Sequence, residues 1–78
     1  MSDQSLDKKT EGRGRSDYIQ SLERGLAVLL AFGPDSSALT LSDVARITGL
    51  TRAAARRFLL TLVELGYVST DSRLFSLT

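Results

Sequence analysis

The stretch Leu39–Val68, LTLSDVARITGLTRAAARRFLLTLVELGYV, contains two short helical patterns separated by a glycine. Thr40 is followed three residues later by Asp43, a spacing that resembles a capping box and predicts where the first of these helices begins. Its buried side would carry four apolar residues: Leu41, Val44, Ala45 and Ile47. Thr48-Gly49 predicts where it ends, because glycine readily adopts the positive φ of a sharp turn.

A second helix is predicted directly after this turn. Thr51 is a plausible N-cap, since its hydroxyl can accept a hydrogen bond from a free amide of the first turn. The helix then runs from Arg52 to about Leu65 and stops at Gly66. Two helices joined by a glycine turn are the pattern of a helix-turn-helix, whose second helix enters the DNA major groove.

A further helix is predicted upstream of this pair. Ser21 is its predicted N-cap, and Gly33-Pro34 is its predicted end, because proline cannot continue a helix. Apolar side chains recur at three- and four-residue steps and predict one buried face. These are Leu22, Leu26, Leu29, Leu30 and Phe32.

Beyond Gly66 the period changes from helical to extended. YVST is rich in residues that favour strands, DSR reads as a turn and LFSLT is extended again. The sequence therefore predicts a mainly α domain, a winged helix-turn-helix of three helices followed by a short β-hairpin wing. It would span residues 18–78, after a polar tail at 1–17 with too few apolar groups to fold. Basic residues of the tail could alternatively touch phosphates as a flexible arm.

Composition excludes several classes of function. The 78 residues include no cysteine and no histidine, which removes thiolate metal sites, the commonest zinc ligand and the commonest general base. No apolar run approaches the roughly 18 residues of a membrane span. We therefore expect a cytoplasmic protein that is not an enzyme, with no catalytic residue, no metal, no cofactor and no membrane partner.

The helix predicted from Arg52 divides into two faces when successive residues are placed about 100° apart. The inner arc holds Arg52, Ala55, Phe58, Leu59, Leu62, Val63 and Leu65. The outer arc holds Ala53, Ala54, Arg56, Arg57, Leu60, Thr61 and Glu64. Small residues let a helix backbone approach a groove, and arginine binds guanine or phosphate. Alternatively, the outer arc is an ordinary solvated surface, and its alanines serve only to favour the helical conformation.

The distribution of charge favours DNA binding. The net charge is only +1, yet between Leu41 and Leu62 four arginines stand against a single acidic residue, Asp43. Leu60 lies on the same outer arc, where it could cover the hairpin, contact a thymine methyl or meet a partner chain. A protein-interaction module without DNA contact is the alternative function, because winged helices also serve as docking domains. Its docking face should carry large apolar or acidic groups.

The motifs SLERGLAVLLAF and LTLSDVARITGLTRAAARRFLLTLVELGYV resemble the N-terminal DNA-binding domain of IclR-type bacterial transcription regulators. Within that family the chain looks most similar to regulators of aromatic-acid breakdown through the β-ketoadipate pathway. The resemblance extends over about residues 18–78. It implies a winged helix-turn-helix that binds palindromic operators in double-stranded DNA as a dimer. It also implies a small-molecule effector, bound only by a larger C-terminal domain that this chain lacks.

The resemblance also assigns positions of the recognition helix. Five residues match them: Arg52, Ala53, Ala54, Arg56 and Arg57. With Thr51 at the helix start and Thr61 on the outer arc, they form the predicted DNA-binding set. The family often has threonine at the position of Ala54, which puts one polar contact in doubt.

A homodimer is expected through the first helix. The predicted contact strip lies beside the core-facing leucines and consists of Ala27, Val28, Leu30 and Ala31. About sixty ordered residues offer little core to cover it. The alternative is that this strip packs under the hairpin.

Overall fold

A computed structural model describes residues 16–78 of the chain. Its helices are α1 (Gln20–Leu30), α2 (Leu41–Thr48) and α3 (Arg52–Leu65). Its strands are β1 (Ala38–Thr40), β2 (Val68–Asp71) and β3 (Leu74–Leu77). The predicted winged helix-turn-helix is confirmed. The predicted tail lies outside the described residues except for Ser16 and Asp17, which form an exposed turn.

The wing contains one strand more than the sequence predicted. β3 is the central strand, antiparallel to β2 on one side and to β1 on the other. The pairing of β1 sets Leu39 opposite Phe75 and Thr40 opposite Leu74. A strand of three residues is too short to show an alternating pattern, so only its pairing with a distant partner reveals it.

The helix-turn-helix itself follows the predicted boundaries. Thr40 and Asp43 form the reciprocal capping box, with both hydrogen bonds at 3.1 Å. Gly49 ends α2 with a φ of 79°, and Gly66 ends α3 with a φ of 91°. Both glycines therefore occupy the left-handed conformation that other residues adopt at a cost.

The core lies where the three helices meet the sheet. Its fully buried side chains come from all three helices and from β2, and the largest are Val28, Val44, Leu59 and Val68. Ala55, which was predicted on the inner arc of α3, is also fully buried. In the two motif helices, two residues predicted for the core are instead exposed. Ile47 of α2 is 45% exposed, and Leu65 in the last turn of α3 is 62% exposed.

Helix α1 departs most from the prediction. It begins after Ile19 with no side-chain cap, so Ser21 is not the N-cap but lies inside the first turn. It ends at Leu30, ahead of Gly33-Pro34, because Phe32 turns into the core and a tight turn follows. In that turn the Gly33 and Ser36 backbones exchange hydrogen bonds of 3.0 and 3.2 Å.

The faces of α1 differ in part from the prediction, because Leu29 and Phe32 pack in the core as predicted but the other three leucines do not. Val28, which was assigned to the dimer strip, is fully buried, while Leu22, Leu26 and Leu30 are 59%, 49% and 81% exposed. At about 100° per residue these leucines lie roughly 120–160° from Val28. The helix therefore rests on a narrow strip, with Leu29 and Ala31 half-buried beside Val28.

Candidate DNA-binding surface

The turn before α3 fixes the position of its first residues. The Thr48 hydroxyl donates to the Val44 carbonyl at 2.7 Å and accepts from the Leu50 amide at 3.3 Å. One side chain thus connects the end of α2 to the chain that leaves the turn. Thr51 then accepts a hydrogen bond from the Ala54 amide at 3.0 Å and so caps α3, as predicted.

The outer face of α3 carries the predicted set. Arg52, Ala53, Arg56 and Arg57 are all exposed, whereas Ala54 is half-buried. Ala54 lines a cleft between α1 and α3 and is therefore not part of a flat, fully open alanine strip. Ala53 is therefore the one exposed alanine on the outer face of α3.

The arginines of this face are free of carboxylate partners within residues 16–78. The single salt bridge of that region joins Arg46 to Asp43 at 3.5 Å, within α2. The Thr40 backbone amide and then the Thr40 hydroxyl lower the pKa of Asp43, with a smaller contribution from Arg46. Asp43 is thus committed to the helix cap, and the cations of α3 remain available to an external anion.

The two predicted threonines have different hydrogen-bonding capacity. The Thr61 hydroxyl donates to the Arg57 carbonyl at 2.8 Å, so its oxygen is left only to accept. Thr61 can therefore accept a hydrogen bond from the amino group of a base, but it cannot donate one to a phosphate oxygen. The Thr51 hydroxyl accepts from the Ala54 amide, which leaves its hydrogen for a phosphate oxygen.

A further arginine, missed by the sequence reasoning, approaches this surface from the wing. Arg73 lies in the two-residue turn between β2 and β3, beside Ser72, whose φ is 61°. It shares a cleft of about 380 Å³ with Arg52, where the α2 capping residue Thr40 also lies. The predicted DSR turn could have identified Arg73 from the sequence, because an arginine at a hairpin tip is exposed beside the recognition helix.

Leu60 is 41% exposed on the outer face and is not among the side chains packed against the core. The face therefore carries one large apolar group and one acidic group, Glu64, among its small and cationic residues. No cluster of acidic residues that could hold a metal ion occurs in the described part of the chain. None of its helices is long and apolar enough to cross a membrane.

A second surface, on α1, is apolar rather than charged. Large side chains on the side of the helix away from the core line a shallow groove of about 590 Å³. We call it the α1 apolar face, and it consists of Tyr18, Ile19, Leu22, Leu26 and Leu30. Of the predicted dimer strip, it retains only Leu30, with Ala27 at its edge.

Comparison with known families and proteins identifies the domain type. Residues 21–72 match the IclR helix-turn-helix domain. The "p-hydroxybenzoate hydroxylase transcriptional activator" of Acinetobacter baylyi is 53% identical over 62 residues, which cover 80% of this chain and 23% of that protein. The "Pca regulon regulatory protein" of Pseudomonas putida is 45% identical over 64 residues, 82% of this chain and 22% of its own length.

Solved structures agree with the fold. An IclR family transcriptional regulator from Brucella abortus superposes with a TM-score of 0.78 at 38% identity, covering 86% of this chain and 26% of that one. A protein from Rhodococcus sp. RHA1 gives a TM-score of 0.76 at 67% identity, over 78% of this chain and 24% of its own. The chain spans about a quarter of the length of these relatives.

Proposed function

The chain belongs to the IclR family of transcription regulators, and we propose that it binds its operator by placing α3 in the DNA major groove. It is a DNA-binding domain and not an enzyme. The observation that carries the proposal is the outer face of α3, where Arg56 and Arg57 are exposed beside Ala53 without a carboxylate partner among the described residues. Such a face fits a groove edged with phosphates.

The predicted residues divide into two roles. Arg56 reads a guanine edge, where a bidentate arginine is specific, and Arg57 holds a phosphate. Ala53 contacts a thymine methyl or allows the backbone to approach the base pairs. Thr51, Arg52 and the wing residue Arg73 hold the sugar-phosphate backbone. Ala54 and Thr61 border the face, with Thr61 limited to accepting a hydrogen bond.

The operator is palindromic, and the protein binds it as a homodimer through the α1 apolar face. A two-fold dimer buries the same patch of both subunits, so an apolar patch meets an apolar patch. Exposed leucines along one side of α1 supply that patch, and two of them, Leu22 and Leu26, also border a groove between α1 and α3. This surface replaces the strip around Val28, which the monomer core already buries.

The regulated genes are those of aromatic-compound breakdown. Two relatives are described as regulators of p-hydroxybenzoate and pca genes, and they share about half of the aligned residues with this chain. A domain beyond the matched quarter of these relatives would bind the small-molecule effector. The site of action is the bacterial cytoplasm, on the nucleoid.

Selection of bound duplexes from a random pool tests the proposal, followed by binding to the selected sequence. We expect a palindromic product. Arg56→Ala should cost about 1–3 kcal/mol on that operator and relax the preference at one base pair. Arg57→Ala should weaken all sequences alike and lower the salt slope by about one unit. Operator affinity that survives the double substitution at physiological salt would contradict the role of α3.

The dimer is tested separately by sedimentation. Leu26→Glu should yield a monomer, because it buries a charge in an apolar interface. Leu65→Glu, at the exposed end of α3, is the control, because it makes the same substitution away from that face. A wild-type chain that stays monomeric both free and on DNA would refute the dimer while leaving the recognition helix untouched.

A further inference from the structure

Arg24 of α1 occupies a position that the recognition-helix assignment does not include. It lines a cleft of about 340 Å³ together with Ala54, Arg57 and Thr61 of α3. It also lines an adjacent cleft that reaches Gly49, in the turn between the two motif helices. Arg24 therefore stands where the first helix, the turn and the recognition helix meet.

On its α3 side Arg24 faces another cation, whereas Glu23 lines the adjacent cleft with it. The Arg24 side chain is exposed and forms no salt bridge within residues 16–78, although Glu23 is its neighbour in sequence. Arg57, on the other side of the cleft, has no carboxylate partner in that region either. Two unpaired guanidinium groups that border one cleft repel each other, and an anion between them would convert that repulsion into two attractions.

We propose that Arg24 and Arg57 bind the same DNA backbone phosphate, so that α1 helps to position α3 in the groove. The inference rests on the proposed function, since three residues of the predicted DNA-binding set line this cleft. Arginine matches a phosphate with several N–H donors in a fixed plane. The Ser21 hydroxyl borders the same cleft and adds a neutral hydrogen-bonding group.

A phosphate held in this way has a geometric consequence for the dimer. Arg24 lies between Leu22 and Leu26, which belong to the α1 apolar face. The same helix would then touch the partner subunit on one side and the DNA backbone on another. Helix α1 would therefore couple the distance between the two operator half-sites to the position of each recognition helix.

The experiment measures the affinity of the chain for its selected operator and for an unrelated duplex as a function of salt. Arg24→Ala should weaken binding to both duplexes by the same factor, and its plot of log affinity against log salt should be flatter by less than about 0.9, because Arg57 still neutralises part of the shared phosphate. Arg24→Lys should keep the wild-type slope, because it keeps the charge. Gln20→Ala, in the adjacent cleft, is the uncharged control and should change neither quantity.

A double-mutant cycle with Arg57→Ala tests whether the phosphate is shared. If both arginines hold one phosphate, the loss in the double variant should be clearly smaller than the product of the two single losses. A wild-type slope in Arg24→Ala, or two losses that multiply, would overturn the inference. Neither result affects the proposed function, which fails instead if Arg56→Ala and Arg57→Ala leave operator binding unchanged.

Discussion

Helices α1 and α3 each leave one face outside the core, and the two faces differ in chemistry. α1 turns three leucines outward and buries Val28. α3 turns arginines outward and buries Ala55 and Leu59. Removing an exposed apolar face from water is favourable only when it packs against another apolar surface. An exposed cationic face instead favours binding to a polyanion such as DNA. One domain thus offers a surface suited to protein and another suited to DNA.

Truncating a leucine should affect stability very differently in α3 and in α1. Leu59→Ala should lower the free energy of unfolding by about 2–5 kcal/mol, because Leu59 is fully buried and its removal leaves a cavity. Leu30→Ala, at a position 81% exposed, should cost less than about 0.5 kcal/mol in chemical denaturation at a concentration where the chain is monomeric. Equal losses would mean that α1 buries the leucines that the structure exposes.

The ends of the two helices also differ. α3 stops at Gly66 with a φ of 91°, whereas α1 stops at Ala31 in the ordinary helical conformation. Gly66→Ala should lower the free energy of unfolding by about 1–2 kcal/mol through backbone strain. Apart from its neighbours in the chain, no described residue has a heavy atom within 4 Å of the new Cβ, so a steric clash adds nothing. Gly33→Ala has the same open space and no positive φ, and thermal melts should find it nearly neutral.

The starts of the helices provide the next contrast. Thr51→Ala should cost about 1 kcal/mol of unfolding free energy, because it removes the acceptor for the Ala54 amide. Thr51→Ser keeps that acceptor and should retain most of the stability. Ser21→Ala should stay within about 0.5 kcal/mol of wild type, since α1 has no side-chain cap. A loss at Ser21 that matches the loss at Thr51 would restore the original prediction for α1.

The smallest expected effect has the opposite sign. Gly25 lies inside α1, and a Cβ built on it would be 3.8 Å from Cδ1 of Phe58, an ordinary van der Waals contact. Gly25→Ala should therefore raise the free energy of unfolding by about 0.5–1 kcal/mol, because alanine loses less backbone entropy in a helix. Differential scanning calorimetry measures it, and a lower melting temperature would show that α1 and α3 are packed more tightly.

The helix-turn-helix could be predicted from sequence because its signals are local. Thr40, Asp43, Gly49 and Thr51 act on amides within a few residues, so their roles follow from spacing alone. The faces of α1 could not be predicted in this way. Both sides of that helix carry apolar residues, and the contact with Phe58 near Gly25 helps to decide which side faces inward. The larger leucines suggested the wrong side.

The residues of the candidate site also divide into those that local sequence predicts and those that tertiary packing brings in. The exposure of Arg52, Ala53, Arg56 and Arg57 followed from helical periodicity. Arg73 and Arg24 come near the recognition helix only through tertiary packing, from a hairpin turn and from another helix. The half-burial of Ala54 has the same origin, because α1 covers it from outside α3.

Strand β1 passes into α2 without a linker, since Thr40 is both the last residue of the strand and the N-cap of the helix. β1 pairs with β3, and the two motif helices lie between these strands in the chain. During synthesis the loop cannot close until Leu74–Ser76 has left the ribosome. Once it has closed, the pairing connects the start of α2 to a strand that follows α3 in the chain. We therefore expect the ladder between residues 38–40 and 74–76 to couple the unfolding of the two motif helices.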